Sequence, residues 1–441
     1  MTQLNRLAGG QIDRSEPMTF TFDGKSYQGY AGDTLASALL ANDVRLMGRS
    51  FKYHRPRGVL SAGSEEPNAL VELRSGARQE PNTRATTAEL FDGLVANSQN
   101  RWPSLTFDAM AINDRFSNFL TAGFYYKTFM WPAAFWEKLY EPIIRRAAGL
   151  GTAALEPDPD SYDKGFLHCD LLIIGAGPAG LSAALTAGRS GARVILADED
   201  FAFGGRLNAE TLDIGGQSGA QWAAASAAEL ADLPNVRLMA RTTVIGAFDH
   251  GVYGAVERVS DHLPTPAPGK PRQIFWRITS KRAVLCAGAI ERPIAFENND
   301  RPGIMLAGAM RAYANRWAAT PAHKVAVFTN NDDGHRTAVD LIAKGVTVAA
   351  VIDTRTDAPR IADCELLAGA QVIDTKGRLG LRFVEIRLAS GQTRLIECGA
   401  LGVSGGWNPN VGLTCHQRGR PQWREDIAAF VPGADGPAGL S

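Results

Sequence analysis

Between Leu171 and Gly180 the chain reads LLIIGAGPAG, and few stretches restrict a fold as tightly. Apolar residues make a buried strand, three glycines at GxGxxG spacing make a turn, and the alanine-rich GLSAALTAG continues as a helix. Gly175 permits the tight turn, Gly177 lets backbone approach a pyrophosphate, and Gly180 lets the helix close on the sheet. Pro178 and Ala179 open the helix, whose unpaired N–H groups favour phosphate. A second strand, ARVILAD, ends in Asp198 and Glu199. A carboxylate there accepts hydrogen bonds from an adenosine ribose and repels a 2′-phosphate, which disfavours NADP. NAD and FAD share this adenosine end, so the motif leaves both open.

Further segments join the candidate site. FGGRL brings Gly204 and Gly205 toward the diphosphate, with Arg206 as a charge partner or, alternatively, as part of a plain loop. A strand near Val244 is expected to edge the adenine. The strand in KRAVLCAGAIERP stops at the small residues Ala287 and Gly288, which let the chain pass close to a nucleotide.

A second strand–turn–helix–strand unit begins at His323, HKVAVFTNNDDGHRTAVDLIAKGVTVAAVIDTR. Its turn reads TNNDDGH and keeps only Gly334; Asn330, Asn331, Asp332 and Asp333 put side chains where backbone should meet phosphate. Two carboxylates also repel a pyrophosphate. This unit is expected to keep its fold without its nucleotide. With no CxxC among the five cysteines, a disulfide reductase is not indicated.

Upstream, MTFTFDGKSYQGY reads as a hairpin turning at Asp23-Gly24, followed by a helix capped at Asp33 or Thr34 with Leu35, Leu39 and Leu40 buried. That order opens a β-grasp module. Residues 102–140 hold 12 aromatics, FYYKTFMW among them, and suit packing between neighbouring domains or a buried subunit interface. ALEPDPDSYDKGF is a linker. The expected domains are thus a β-grasp domain at 15–95, an aromatic-rich helical connector at 96–165, a first dinucleotide-binding domain at 166–310, a degenerate second at 311–400, and a return to the first at 401–441. The return reaches PAGLS where a further strand should begin, and the chain is expected to be truncated from a longer product.

A formal net charge of zero gives no bulk attraction to nucleic acid or an anionic membrane. No signal core or membrane-length apolar run is seen, so a cytoplasmic setting is expected by elimination. The seven histidines lack metal-ligand spacing, and the adjacent pairs His168-Cys169 and Cys415-His416 would point to opposite strand faces. Neither a catalytic residue nor a metal site is expected.

The strings GRSFKYHRPRGVLSAGSEEPNALVE, CDLLIIGAGPAGLSAAL, CAGAIERPIAFENNDRPGIMLAGA and VSGGWNPNVGL, in this order, resemble the alpha subunits of heterotetrameric sarcosine oxidases. Opine and proline dehydrogenases and cyanide synthase share the architecture. The resemblance implies an α/β chain with a two-dinucleotide-binding, glutathione- and thioredoxin-reductase-like Rossmann fold after a ferredoxin-like β-grasp domain. It implies non-covalent NAD in this chain against the Gly175 site. It also implies FAD and covalent FMN on or shared with a beta subunit, gamma and delta partners, and a reaction of sarcosine, oxygen and tetrahydrofolate. Two departures stand out. No cysteine precedes Cys169, so no thiolate-ligated iron–sulfur cluster is expected, and the folate-binding second half of such subunits is absent. Two other readings stay open: an FAD-binding subunit of another secondary-amine oxidising enzyme, and a structural subunit with a vestigial nucleotide site.

Overall fold

A computed structural model describes residues 3–120, 123, 131–147 and 149–441, with the side chains of 146 and 147 left aside. The chain divides into two compact units, Met1–Pro159 with Pro293–Gly405, and Asp160–Arg292 with Gly406–Ser441.

In the first unit, Asp13–Phe22 and Lys25–Ala31 form the expected hairpin. Asp23 and Gly24 turn it with φ of 49° and 75°, the left-handed pair that matches strand twist. Thr34 caps the Leu35–Ala41 helix in a capping box with Ser37, while Asp33 is held by Arg6 at 2.7 Å. Every residue of that helix is buried. Its sheet runs in the order Lys25–Ala31, Asp13–Phe22, Val95–Ser98, Leu70–Leu73, Glu80–Arg84, a β-grasp arrangement.

The same unit holds a parallel sheet ordered Ile304–Leu306, Ala400–Ser404, Lys324–Thr329, Thr347–Asp353, Leu366–Ala368. The helices Ala307–Asn315 and Asp332–Ala343 accompany it. Val325, Val327, Val351 and Ala400 are fully buried, as strands covered on both faces require.

Most of the FYYKTFMW run lies outside the described residues. Around it, Trp102, Phe107, Phe119 and Trp131 are 64%, 65%, 78% and 85% exposed. Composition gave the aromatic content but no periodic stripe to say which way it faces.

The second unit is a six-stranded sheet in the order Val236–Met239, Val194–Ala197, Tyr162–Ile174, Gln273–Leu285, Val252–Glu257, Thr242–Phe248. The first four strands are parallel, Val252–Glu257 runs antiparallel to them, and Thr242–Phe248 pairs antiparallel to it in turn. Gly439 and Ser441 bond in parallel alongside Ala283 and Leu285, on the free edge beyond the Val252–Glu257 pairing. Among the described residues no helix is long and apolar enough to cross a membrane.

Candidate functional site: a dinucleotide turn

The Tyr162–Ile174 strand delivers the chain to Gly175, whose φ of 100° only glycine adopts without strain. A Cβ on Gly175 would lie 2.4 Å from the Cys286 carbonyl, and one on Gly180 would lie 1.9 Å from the Gly175 carbonyl. Both glycines therefore serve packing. Gly177 differs. Its φ of −71° suits any residue, and a Cβ there would meet nothing within 4 Å. The space beside Gly177 is an open cradle at the N-cap of the Pro178–Arg189 helix, where Pro178 supplies the pre-set φ of a first turn and Ala179 follows.

A second glycine pair abuts the first. Gly204 donates its N–H to the Ala176 carbonyl at 2.8 Å, and a Cβ on Gly205 would approach the Gly177 Cα to 3.0 Å. Gly205 thus carries Arg206 to the rim of the cradle. Arg206 pairs with Glu210 at 2.5 Å and lies 4.0 Å over the Trp407 ring, so its guanidinium is held rather than loose.

Asp198 follows the Val194–Ala197 strand and accepts from the Ala176 N–H and, at 2.8 Å, from the Asp200 N–H. Burial pushes its carboxyl up to about 6, against the pull of those two donors. Glu199 stands exposed beside it. The Thr242 N–H bonds the Asp198 carbonyl at 2.7 Å, which brings the start of the Thr242–Phe248 strand, and half-buried Val244 on it, toward the same acid. Ala287 and Gly288 follow Cys286, whose N–H bonds Ile174 at 2.7 Å. They line a cavity of ≈ 500 Å³ with Asn410, Thr414 and Leu440.

The sequence-predicted residues therefore fall in two adjoining places. Gly175–Gly180, Asp198, Gly204, Gly205 and Arg206 make the cradle, with Glu199 and Val244 at its acid end, and Ala287 and Gly288 open a neighbouring cavity. Sequence reasoning missed Ala176, whose N–H and carbonyl tie the two glycine loops to Asp198, and Trp407 under Arg206. Backbone contacts of a central alanine leave no mark in composition, and Trp407 meets Arg206 only through the fold. Among the described residues no cluster of histidine, cysteine and carboxylates could hold a metal ion.

The turn after Lys324–Thr329 is built differently. Asn331 caps the Asp332–Ala343 helix by accepting from the Asp333 N–H at 3.0 Å. At the end of the next strand, buried Asp353 accepts from His335 at 2.7 Å and from Arg355 at 2.8 Å, and Arg355 also reaches Asp332 at 2.8 Å. Side chains of the chain itself take the helix N-terminus and the acid that a dinucleotide would use.

An open glycine cradle ending in an acid, on a parallel sheet, defines an oxidoreductase-type dinucleotide-binding chain. A family described as an FAD binding domain matches residues 170–265, and one described as a 2Fe-2S iron-sulfur cluster binding domain matches residues 15–101. An FAD-binding-type domain is thus present. The 15–101 stretch holds no cysteine, so its residues do not fit a thiolate-ligated cluster. In fold, the chain is similar to L-proline dehydrogenase from P. horikoshii, with a TM-score of 0.65 at 19% identity, over 100% of this chain and 70% of that one.

By sequence the chain is a homologue of sarcosine oxidase alpha subunits. It is 54% identical over 428 residues to "Sarcosine oxidase subunit alpha" of Rhizobium meliloti (strain 1021), covering 96% of this chain and 43% of that protein. With the subunit of the same name from Corynebacterium sp. (strain P-1) it is 37% identical over 442 residues, covering 96% and 41%. The chain thus spans less than half the length of these relatives.

Proposed function

We propose that this chain is the nucleotide-holding part of a sarcosine oxidase alpha subunit, binding NAD non-covalently in the Gly175 cradle and contributing to an oxidoreductase complex without making or breaking bonds itself. The observation that carries the nucleotide site is the open side of Gly177, flanked by Gly205 and closed behind by Gly175 and Gly180. In this reading Gly177 and the first turn of the Pro178–Arg189 helix meet the diphosphate, with Arg206 as charge partner. Asp198 and Glu199 receive the ribose hydroxyls, Val244 edges the adenine, and Ala287 and Gly288 admit the rest of the ligand. The complex would oxidise sarcosine with oxygen at flavins on or shared with a beta subunit, FAD and covalent FMN. It would pass the one-carbon unit to tetrahydrofolate, with gamma and delta subunits completing it in the cytoplasm. The identity to two curated alpha subunits supports this assignment. The exposed Trp102, Phe107, Phe119 and Trp131 suit a surface that a partner covers.

A second reading has FAD in the same cradle, and the FAD-binding family match over residues 170–265 favours it. Denaturing the purified chain and identifying the released nucleotide by absorbance and mass separates the two. NAD without flavin is the expected result. Released FAD would move the redox centre into this chain and overturn the accessory role.

A further inference from the structure

The longest irregular stretch of the β-grasp domain joins Pro56–Arg57 to Leu70–Leu73. It is folded around one buried carboxylate. Glu66 is 1% exposed. Its Oε2 accepts from the N–H of Leu60 at 2.8 Å and of Ser61 at 2.7 Å, and from the Ser61 hydroxyl at 3.3 Å. Its Oε1 accepts from the N–H of Asn68 at 2.8 Å and of Ala69 at 3.1 Å. The loop is pinned from outside as well. Tyr313 donates to the Ser61 carbonyl at 3.0 Å, Thr86 to the Gly63 carbonyl at 2.7 Å, and Arg84 to the Glu66 carbonyl at 3.1 Å.

Converging backbone N–H groups form a concave anion site of the kind that holds phosphates and iron–sulfur centres. The matched domain family binds such a centre, yet this stretch has no thiolate to offer one. We infer that Glu66 is a built-in anion: its carboxylate fills a ring of donors that an external anion would otherwise occupy, and so orders the Leu60–Ala69 loop without metal. The geometry supports this beyond simple burial. Five donors from both ends of one loop meet two oxygens, so the carboxylate closes the loop as a clasp, and the buried donors of Ser61 and Ala69 would be left unpaired without it.

The full chain carries the test. Incubated anaerobically with ferrous iron and sulfide and then desalted, the native protein retains no iron. Glu66→Gln keeps the volume but points an amide at two N–H donors, and it lowers the melting midpoint by about 5 °C or more. Glu66→Ala empties the site. It falls at least as far, and formate restores part of the loss where chloride at equal ionic strength does not, leaving the native midpoint unmoved. Stoichiometric iron and sulfide on the native chain, or a Glu66→Gln midpoint equal to the native one, would overturn the inference. A destabilised Glu66→Ala that formate fails to help would assign the side chain to packing and overturn it too. Where Glu66→Ala does not accumulate, the Glu66→Gln midpoint decides.

Discussion

The turns at Gly175 and at Asn330 are the same construction finished in two ways. Each follows a buried strand, opens a helix of 12 residues, and faces an acid at the end of the next strand. The glycine that both retain is the one packing demands. A Cβ on Gly334 would lie 2.5 Å from Thr329, as one on Gly180 would crowd Gly175. The first turn alone keeps Gly175, which packs against Cys286, and Gly177, which packing does not need. Close helix–sheet approach is a condition of the fold, whereas an open backbone beside a helix N-terminus is a condition of a ligand.

The largest effect tests the filled turn. Asp353 is fully buried, and removing it leaves His335 and Arg355 without their shared acceptor. Asp353→Ala is expected to cost about 3–5 kcal/mol of local stability, read as lost hydrogen-exchange protection across Lys324–Asp353. Unchanged protection would mean that this network does not hold the turn, and the contrast with the first turn would have to rest on Asp332 and Asp333 alone.

A second pair of variants separates fold from ligand within one motif. Gly180→Ala forces a Cβ against the Gly175 carbonyl and is expected to cost about 1–3 kcal/mol or more, visible as a lowered melting midpoint. Gly177→Val meets no neighbour, so the midpoint should hold. The side chain stands where the diphosphate approaches, and nucleotide affinity should fall on the order of 10²-fold, the equivalent of about 2–3 kcal/mol of lost hydrogen bonding. Equal melting losses in both variants would show that the two glycines share one role.

Much of this contrast was legible in the sequence because it is local. Asp23-Gly24, the Thr34 cap and the two strand–turn–helix units all declare themselves within a few residues, and TNNDDGH already lacked the needed glycines. What the sequence concealed is what long-range contact creates. Nothing near Glu66 announces that both ends of its loop fold back on it, and nothing near Arg206 points to Trp407. The aromatic stretch shows the same limit: its composition suits packing between domains or a subunit interface, and what covers Trp102 and Trp131 depends on what stands opposite them in space.

The smallest effect concerns the two acids, whose carboxyls are shifted in opposite directions from the ordinary value. Burial raises Asp353, but Arg355 and His335 outweigh it and hold the carboxyl below its ordinary value. Its contribution to stability is therefore present at neutral pH and lost only as pH falls through that lowered value. Asp198 is raised from 3.8 to about 6, so between those two values its folded form holds a proton that the unfolded chain has released. Stability from Asp198 is thus largest below the ordinary carboxylate range and declines as pH rises toward 6. Nucleotide binding should follow the reverse slope, since ribose hydroxyls donate best to the ionised acid. Affinity should be level above pH 6 and weaken by up to roughly tenfold per unit below it. Calorimetric titration between pH 5 and 8, repeated with Asp198→Asn, checks this. The variant should show weaker binding with a flattened pH dependence, and a slope that survives in Asp198→Asn would move the ribose contact to Glu199.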